Sequence, residues 1–433
     1  MAEAKGSFVD AAIHSQLLQR AEGLPDAHLV VGTRAVDQHL NAQGAISQHG
    51  PLLDPMMARL ERYSGQALGV KPHIVVLGSC KVGNFVVSTP VLRGLKARFP
   101  DAVLGFVGSE LTADFETALP AIDWRLSWDD PAPGAGLNLQ RQLAERIQGH
   151  GPVQLAVNLD GFNPVTCTLV PWLEPAYVAG GSLTANLRRS LPWGDLPQQR
   201  FLADPDWDSP DFLERYAGVF ASNYIAELFC QLAFVADAVD PTAIELPAAP
   251  APFAVPDLLI HCTTARAAKV WPFHHWRRVI DFAETRGWTV GLVGSPPAAQ
   301  QEAYNAGDGE EALLASTGLI DLRGRTSLMQ LAGAAQQAKA VISVDAGPLH
   351  IAAAVGTPTL AVVGNDAAGI GASPMRLWLP RCSNVSRTVA PATCRACADN
   401  RFRNDGCLVE GHPCMASVEP DQVIAWLEAL MQA

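Results

Sequence analysis

The 433-residue chain has no stretch of about 18 apolar residues, the length a membrane-spanning helix needs. Its opening, Met1-Ala2-Glu3-Ala4-Lys5-Gly6-Ser7-Phe8, holds no apolar run of the kind a secretory signal requires. Basic charge is in deficit: 31 Lys and Arg stand against 43 Asp and Glu, for a net charge of −12. That balance argues against a nucleic-acid binder working through a broad basic face. Nine cysteines, an odd number, fit poorly with a disulfide framework. A cytoplasmic, reducing compartment is therefore expected. What the chain does have is a globular composition, 48% hydrophobic and 17% charged, at a length that exceeds one ordinary domain.

Residues 1–70 show helical patterning at 11–21 and 56–68 but no chemical motif, and read as a docking or oligomerisation extension. From His73 onward apolar strands alternate with helices. Strands are expected at 74–77, 102–107 and 153–159, and a helix at 90–98. The interval 162–210, rich in Pro, Gly, Trp and charge, breaks the rhythm, and 216–236 reads as an apolar helical stretch. Residues 241–256, which include Pro-Ala-Ala-Pro-Ala-Pro, form a stiff linker. A second alternation follows, with strands at 258–262, 289–293, 319–322, 340–344 and 359–363, a helix at 273–286, and Thr326 as the cap of a helix at 327–338. The expected fold class is α/β, with two doubly wound domains at 71–240 and 257–433 facing a cleft.

Residues 340–364 are the most informative. A buried strand runs into Asp345, Ala346 and Gly347 turn the chain, and a small-residue helix follows from about Pro348, with Gly356 able to cap it. A strand, a glycine turn and a helix N-terminus make a place for phosphate, where outward amides and the helix dipole favour an anion. Gly347 lets a ligand approach the backbone, and a larger side chain there is expected to point into the cleft. His350, in the first turn, can face the same ligand.

The pattern Asp345-x-Gly347-x-x-His350-x-x-Ala353-x-x-Gly356-x-Pro358 resembles the donor-site signature of glycosyltransferase family 9, which contains the ADP-heptose lipopolysaccharide heptosyltransferases and the autotransporter heptosyltransferases. Gly78-Ser79-Cys80-Lys81-Val82-Gly83-Asn84 and the run to Leu92 agree with it. So do Ile260 to Thr264, Lys269-Val270-Trp271-Pro272 and Trp276. The resemblance covers about residues 72–430 and implies the GT-B arrangement of two Rossmann-like domains. It implies a donor site at Thr263, Thr264, Lys269, Asp345, Ala346, Gly347, Pro348 and His350. The lysine before Trp-Pro is the cation for the donor pyrophosphate in that family, so Lys269 is expected to neutralise the leaving phosphate. No cofactor is expected for catalysis.

The acceptor hydroxyl needs a general base. In the heptosyltransferases an Asp follows the glycine of the first-domain loop; here Gly83 is followed by Asn84, which cannot take a proton. Asp160, closing Val-Asn-Leu-Asp at a strand end, is the best replacement, and Glu110 a weaker one. Arg188 and Arg189, with Trp172, Trp193 and Trp207 nearby, make 162–210 an acceptor surface by chemistry, since Trp stacks on sugars and Arg forks onto phosphate.

Cys394, Cys397, Cys407 and Cys414 have the spacing C-x2-C-x9-C-x6-C in a polar, turn-rich segment. Four thiolates could bind structural zinc or iron in place of a missing core, with His412 as an alternative ligand. Autotransporter heptosyltransferases carry a comparable four-cysteine iron knuckle, which the resemblance makes relevant here, while many family 9 members have cysteines near this position and a metal-free pair of thiols is the alternative.

The expected function is transfer of a heptose or related sugar from a nucleotide-diphosphate donor, ADP-heptose by resemblance, to a lipopolysaccharide or other glycan acceptor with inversion. Transfer to a protein and an inert nucleotide-sugar binding or scaffold role are the alternatives, the latter because of Asn84. Peripheral membrane contact and self-association through residues 1–70 are the further partners expected, and no nucleic acid.

Overall fold

A computed structural model describes residues 60–204, 211–364, 377–391, 394–400 and 404–432. The helical patterning expected at 11–21, and most of the expected extension, lie outside these residues.

Among the described residues the strands are β1 (Glu61–Arg62), β2 (His73–Leu77), β3 (Val103–Gly108), β4 (Trp124–Ser127), β5 (Val153–Asn158), β6 (Tyr177–Gly180), β7 (Leu258–His261), β8 (Val290–Leu292), β9 (Ile320–Asp321), β10 (Ala340–Val344), β11 (Thr359–Val362) and β12 (Val385–Thr388). They form two six-stranded sheets of order β1-β6-β5-β2-β3-β4 and β12-β11-β10-β7-β8-β9. Every pairing is parallel, as helical crossovers demand. β2, β7 and β10 are wholly buried, and β5 is buried at every residue but Gln154, which is why they read as apolar runs.

In each sheet the chain first winds one way, β2-β3-β4 and β7-β8-β9. It then reverses through β5-β6 and β10-β11-β12. The switch points, where open α/β sheets bind ligands, are thus β2/β5 and β7/β10. The loops that follow these four strands carry Gly78 to Asn84, Asp160, Thr263 and Asp345.

Some expectations need correction. Residues 60–70 are not helical: β1 pairs with β6, so the first domain begins ahead of residue 71. The helix expected from Pro90 starts eight residues earlier and spans Val82–Arg98. Pro90 has no N–H for the Val86 carbonyl, but the Thr89 hydroxyl donates to that carbonyl at 2.8 Å, so the helix runs through. In 216–236 the longest helix is Ile225–Leu232. Glu227 folds the chain back before it by accepting from the Ala221 amide and the Ser222 hydroxyl, each at 2.5 Å. Ser327, not Thr326, caps the Leu328–Gln337 helix, in a capping box with Gln330.

The domains meet through two helices, Val82–Arg98 of the first and Gly347–Ala354 of the second. One apolar cluster crosses the boundary, from Ile74, Val87 and Val91 to Ile351, Ala352 and Val341. The fold places the ends of the two central strands, β2 and β10, on opposite sides of one cleft.

Candidate functional site

The second-domain half of the site is built on β7 and β10. Asp345 follows the C-terminal end of β10, and a 3-10 turn at Ala267–Lys269 brings a lysine to meet it. Lys269 Nζ donates to Asp345 Oδ2 at 2.5 Å, with both side chains largely buried. His350 Nε2 sits 3.7 Å from the other carboxylate oxygen. Burial pushes the Asp345 carboxyl up, but the Lys269 charge and the His350 ring outweigh it and hold the group well below the usual carboxylate range. Nδ1 of His350 is buried and has no hydrogen-bond partner.

Thr264 Oγ1 donates to the Asp345 carbonyl at 3.3 Å, tying the two strand ends together. Thr263 is different: it is fully buried, and its hydroxyl accepts from Gln300 Nε2 at 2.9 Å. Gln300 leads on to Glu310, which pairs with Arg323 at 3.0 Å. Burial raises the Glu310 carboxyl above its ordinary value against the pull of Arg323. Thr263 therefore supports the strand end from inside the domain rather than presenting its hydroxyl to the cleft. Neither this network nor the Lys269–Asp345 pairing carries a sequence signal beyond its residue types.

The first-domain half is the N-terminus of the Val82–Arg98 helix. Its cap, Lys81, is extended and makes no side-chain capping bond, and Ala346, the cap of the Gly347–Ala354 helix, makes none either. The two N-termini face each other. A Cβ on Gly83 would lie 3.0 Å from the His350 ring, and one on Gly347 would lie 3.4 Å from Val82 Cβ. A side chain at Gly347 thus points at Val82, not into open cleft as expected. Pro348 occupies the first turn. Asn84 Nδ2 donates to Ser79 Oγ at 3.0 Å, and Trp128 Nε1 to the Gly78 carbonyl at 3.0 Å, fixing the loop.

Asp160 stands one strand over, since Leu159 N donates to the Leu77 carbonyl. Its carboxylate accepts from Asn163 Nδ2 at 2.9 Å and its carbonyl from Thr166 Oγ1 at 2.8 Å, which builds it into the turn leading to the Pro164–Trp172 helix. Glu110 is engaged by Arg125 and Ser127. Arg188 and Arg189 are exposed on a loop closed by a 2.7 Å bond from the Thr184 amide to the Arg189 carbonyl. That loop is anchored by a residue the sequence did not flag. Arg62 donates to the carbonyls of Gly180, Leu191 and Pro192 and lies over the Trp193 ring. Burial lowers its guanidinium to about 10. Trp207 lies outside the described residues.

The four cysteines lie in one neighbourhood. Burial and then the nearby Cys394, Cys407 and Cys397 push the Cys414 thiol up to about 11. Asn404 Nδ2 donates to Cys397 Sγ at 3.2 Å, and the Val409 amide to Cys407 Sγ at 3.5 Å. Soft sulfur with N–H donors suits zinc or iron. Yet among the described residues no three His, Cys, Asp or Glu converge to hold an ion, so the closed tetrahedral arrangement expected there is not what this geometry shows. His412 is turned away from the sulfurs, with Nε2 2.8 Å from the Ala268 carbonyl. No cysteine forms a disulfide.

The sequence model of glycosyltransferase family 9 (heptosyltransferase) matches residues 205–392. Lipopolysaccharide heptosyltransferase 1 of Pseudomonas aeruginosa is 28% identical over 180 residues, 41% of this chain and 48% of that protein. The chain thus spans about half the length of that relative, and 34% of lipopolysaccharide heptosyltransferase 1 of Salmonella typhimurium. Lipopolysaccharide heptosyltransferase 2 of Escherichia coli K12 is 23% identical across 83% of this chain and 98% of its own. Among solved structures, the glycosyl transferase family 9 protein of Veillonella parvula superposes with a TM-score of 0.62 at 16% identity, over 84% of this chain and 99% of that one. The E. coli heptosyltransferase WaaC with ADP gives 0.57 at 16%, over 83% and 99%. These likenesses show the GT-B fold, with both sheets present. The turn from Asp345 to Pro358 lies inside the segment that matches the family 9 model, and the chain is similar to that family over residues 205–392.

Proposed function

We propose that this protein transfers a sugar from a nucleotide-diphosphate donor of the ADP-heptose type to a glycan acceptor such as the lipopolysaccharide core. The observation that carries this reading is the convergence of two helix N-termini without side-chain caps, one from each domain, beside Lys269 and Asp345. Each N-terminus contributes about half a positive charge and a set of outward amides. A pyrophosphate is the dianion such a place suits. Lys269, held by Asp345, is aimed at the phosphate that leaves with the nucleotide, where charge grows in the transition state. The second-domain side, with Thr264, Ala346, Gly347, Pro348 and His350, takes the donor. The first-domain side, with Gly83, Asn84 and the Arg188–Arg189 loop, takes the acceptor.

Attack of the acceptor hydroxyl on the anomeric carbon from the face opposite the phosphate inverts that centre. Asn84 orients the hydroxyl, and Asp160, at the neighbouring strand end, accepts its proton. Relatives named lipopolysaccharide heptosyltransferases support the glycan acceptor. The four-cysteine segment favours a protein acceptor as the second reading: the iron-containing glycosyltransferase TibC of E. coli has a fold likeness at TM-score 0.50. Asn84 favours a third, an inert nucleotide-sugar binder. A structural zinc or iron at Cys394, Cys397, Cys407 and Cys414 would take no part in bond making itself, and elemental analysis of chelator-free protein tests it. Release of ADP from ADP-heptose, with a lipopolysaccharide core or a protein as acceptor, separates the three readings. No release with either would leave the inert binder.

A further inference from the structure

The Ala267–Lys269 turn has no buried residue of its own. Nothing apolar within it fixes where Lys269 points. Apart from the Lys269–Asp345 bond, fixed points of the turn come from the cysteine segment. The Arg266 guanidinium donates to the Asn404 carbonyl from Nη2 at 2.6 Å and from Nε at 3.2 Å. The Ala268 amide donates to the Asp405 carbonyl at 2.9 Å. The Ala268 carbonyl meets His412 Nε2 at 2.8 Å. Both backbone polar groups of the residue before Lys269 are thus held by a segment more than 130 positions later in the chain.

The holding residues are themselves built in. Asn404 is buried, and its side-chain amide donates to the Gly406 carbonyl at 2.7 Å and to Cys397 Sγ at 3.2 Å. His412 sits in the left-handed backbone region at φ 48°, after Gly411 at φ 76°. That conformation is uncommon outside glycine, and histidine is among the residues that tolerate it. It opens the Pro413–Ala416 helix, which contains Cys414. One face of the segment holds sulfur and the other holds the lysine turn.

We propose that Asn404, Asp405 and His412 act as a clamp that positions Lys269 for the donor, with His412 and Asn404 as positioning residues. The inference rests on the donor role of Lys269 given above and adds a control point to it. A change at the Cys397 sulfur reaches Asn404 directly, from there Arg266, and three residues on Lys269. The cysteine segment is on this view part of the donor site's machinery rather than a remote staple.

The test uses the full chain with His412→Ala and His412→Gln, the latter keeping a side-chain N–H for the Ala268 carbonyl. Three quantities are read: hydrogen exchange of the 266–270 amides, exchange of the β10 amides, and ADP-heptose affinity by calorimetry. His412→Ala should speed exchange at 266–270 by about tenfold and weaken donor binding by about fivefold, with β10 exchange unchanged. His412→Gln should restore both. Unchanged exchange at 266–270 in His412→Ala would overturn the clamp. So would faster exchange with unaltered donor affinity, because the segment would then pack against the turn without positioning Lys269. A wild-type protein that binds no ADP-heptose would instead remove the donor reading itself. The two failures are distinguishable because the exchange measurement does not depend on a ligand.

Discussion

The ammonium of Lys269 lies 2.5 Å from the carboxylate of Asp345, though 76 residues separate them in the chain. The Lys269 charge holds the Asp345 carboxyl ionised in a largely buried place. Removing one partner of such a pair leaves an uncompensated charge, whereas removing both leaves none. Lys269→Met should therefore cost about 3 kcal/mol of unfolding free energy. The double variant Lys269→Met/Asp345→Asn should recover a good part of it. Urea unfolding of the single and double variants measures this coupling, and strictly additive losses would mean that the two groups do not interact. If Lys269 also stabilises the leaving phosphate, Lys269→Ala should lower turnover by roughly 2 to 4 kcal/mol in activation free energy, beyond any loss of donor affinity.

The pair also sets a pH dependence. The Asp345 carboxyl is held below its unfolded value, so its contribution to stability is fully present above the ordinary carboxylate range near pH 4 and is lost as pH falls below it. The stability gap between wild type and Asp345→Asn should be constant from pH 8 to pH 5 and shrink below pH 4. Thermal melts across that range check the sign. A gap that widens in acid would contradict the pairing.

Gly83 and Gly347 should behave differently although both sit at the domain boundary. A methyl group on Gly83 meets the His350 ring at 3.0 Å, tighter than ordinary contact, whereas one on Gly347 meets Val82 at 3.4 Å, which is ordinary contact. Gly83→Ala should cost about 1 kcal/mol through overpacking, and Gly347→Ala close to nothing. Equal losses in chemical denaturation would show that the two helix ends do not face each other as described.

Arg323 and Glu310 are nearly inaccessible and bonded at 3.0 Å, and Gln300 links Glu310 to Thr263. Arg323→Met should cost about 3 to 5 kcal/mol by stranding a buried carboxylate. Adding Glu310→Gln should restore part of it. A mild loss in the single variant would show that water reaches Glu310.

Much of this architecture was legible in the residues. The buried parallel strands β2, β5, β7 and β10 announce themselves as apolar runs, and a single glycine turn after Asp345 marks the side proposed for the donor. What was not legible has physical causes. β12, Val-Ser-Arg-Thr, is a largely exposed edge strand with no apolar pattern, and β1 is only two residues long. β6 lies inside a stretch whose prolines and glycines mask it. The Val82–Arg98 helix read as starting at Pro90, because no local pattern shows that the Thr89 hydroxyl takes the place of the missing proline amide. The reach of Lys269 to Asp345, of Gln300 to Thr263 and of His412 to Ala268 depends on tertiary placement, which no local pattern encodes. Nor does residue type reveal that Thr263 faces inward while Thr264 ties two strand ends together.

Asp160 and Asn84 can be separated by exchange of function. Asp160→Asn should abolish turnover while ADP-heptose still binds, and Asn84→Asp should restore activity to that variant by returning a carboxylate to the first-domain loop. Steady-state kinetics with a fixed acceptor reads both. Full activity in Asp160→Asn would assign the proton to another group.

The most direct measurement is a calorimetric titration of the full chain with ADP-heptose, run beside Gly83→Val. Wild type should bind one donor per chain with micromolar affinity, and Gly83→Val, which drives a branched side chain into His350 where the two helix N-termini meet, should lose at least tenfold, about 1.4 kcal/mol. Equal binding by both proteins, or none by wild type, would contradict a donor site at the meeting point of the two domains.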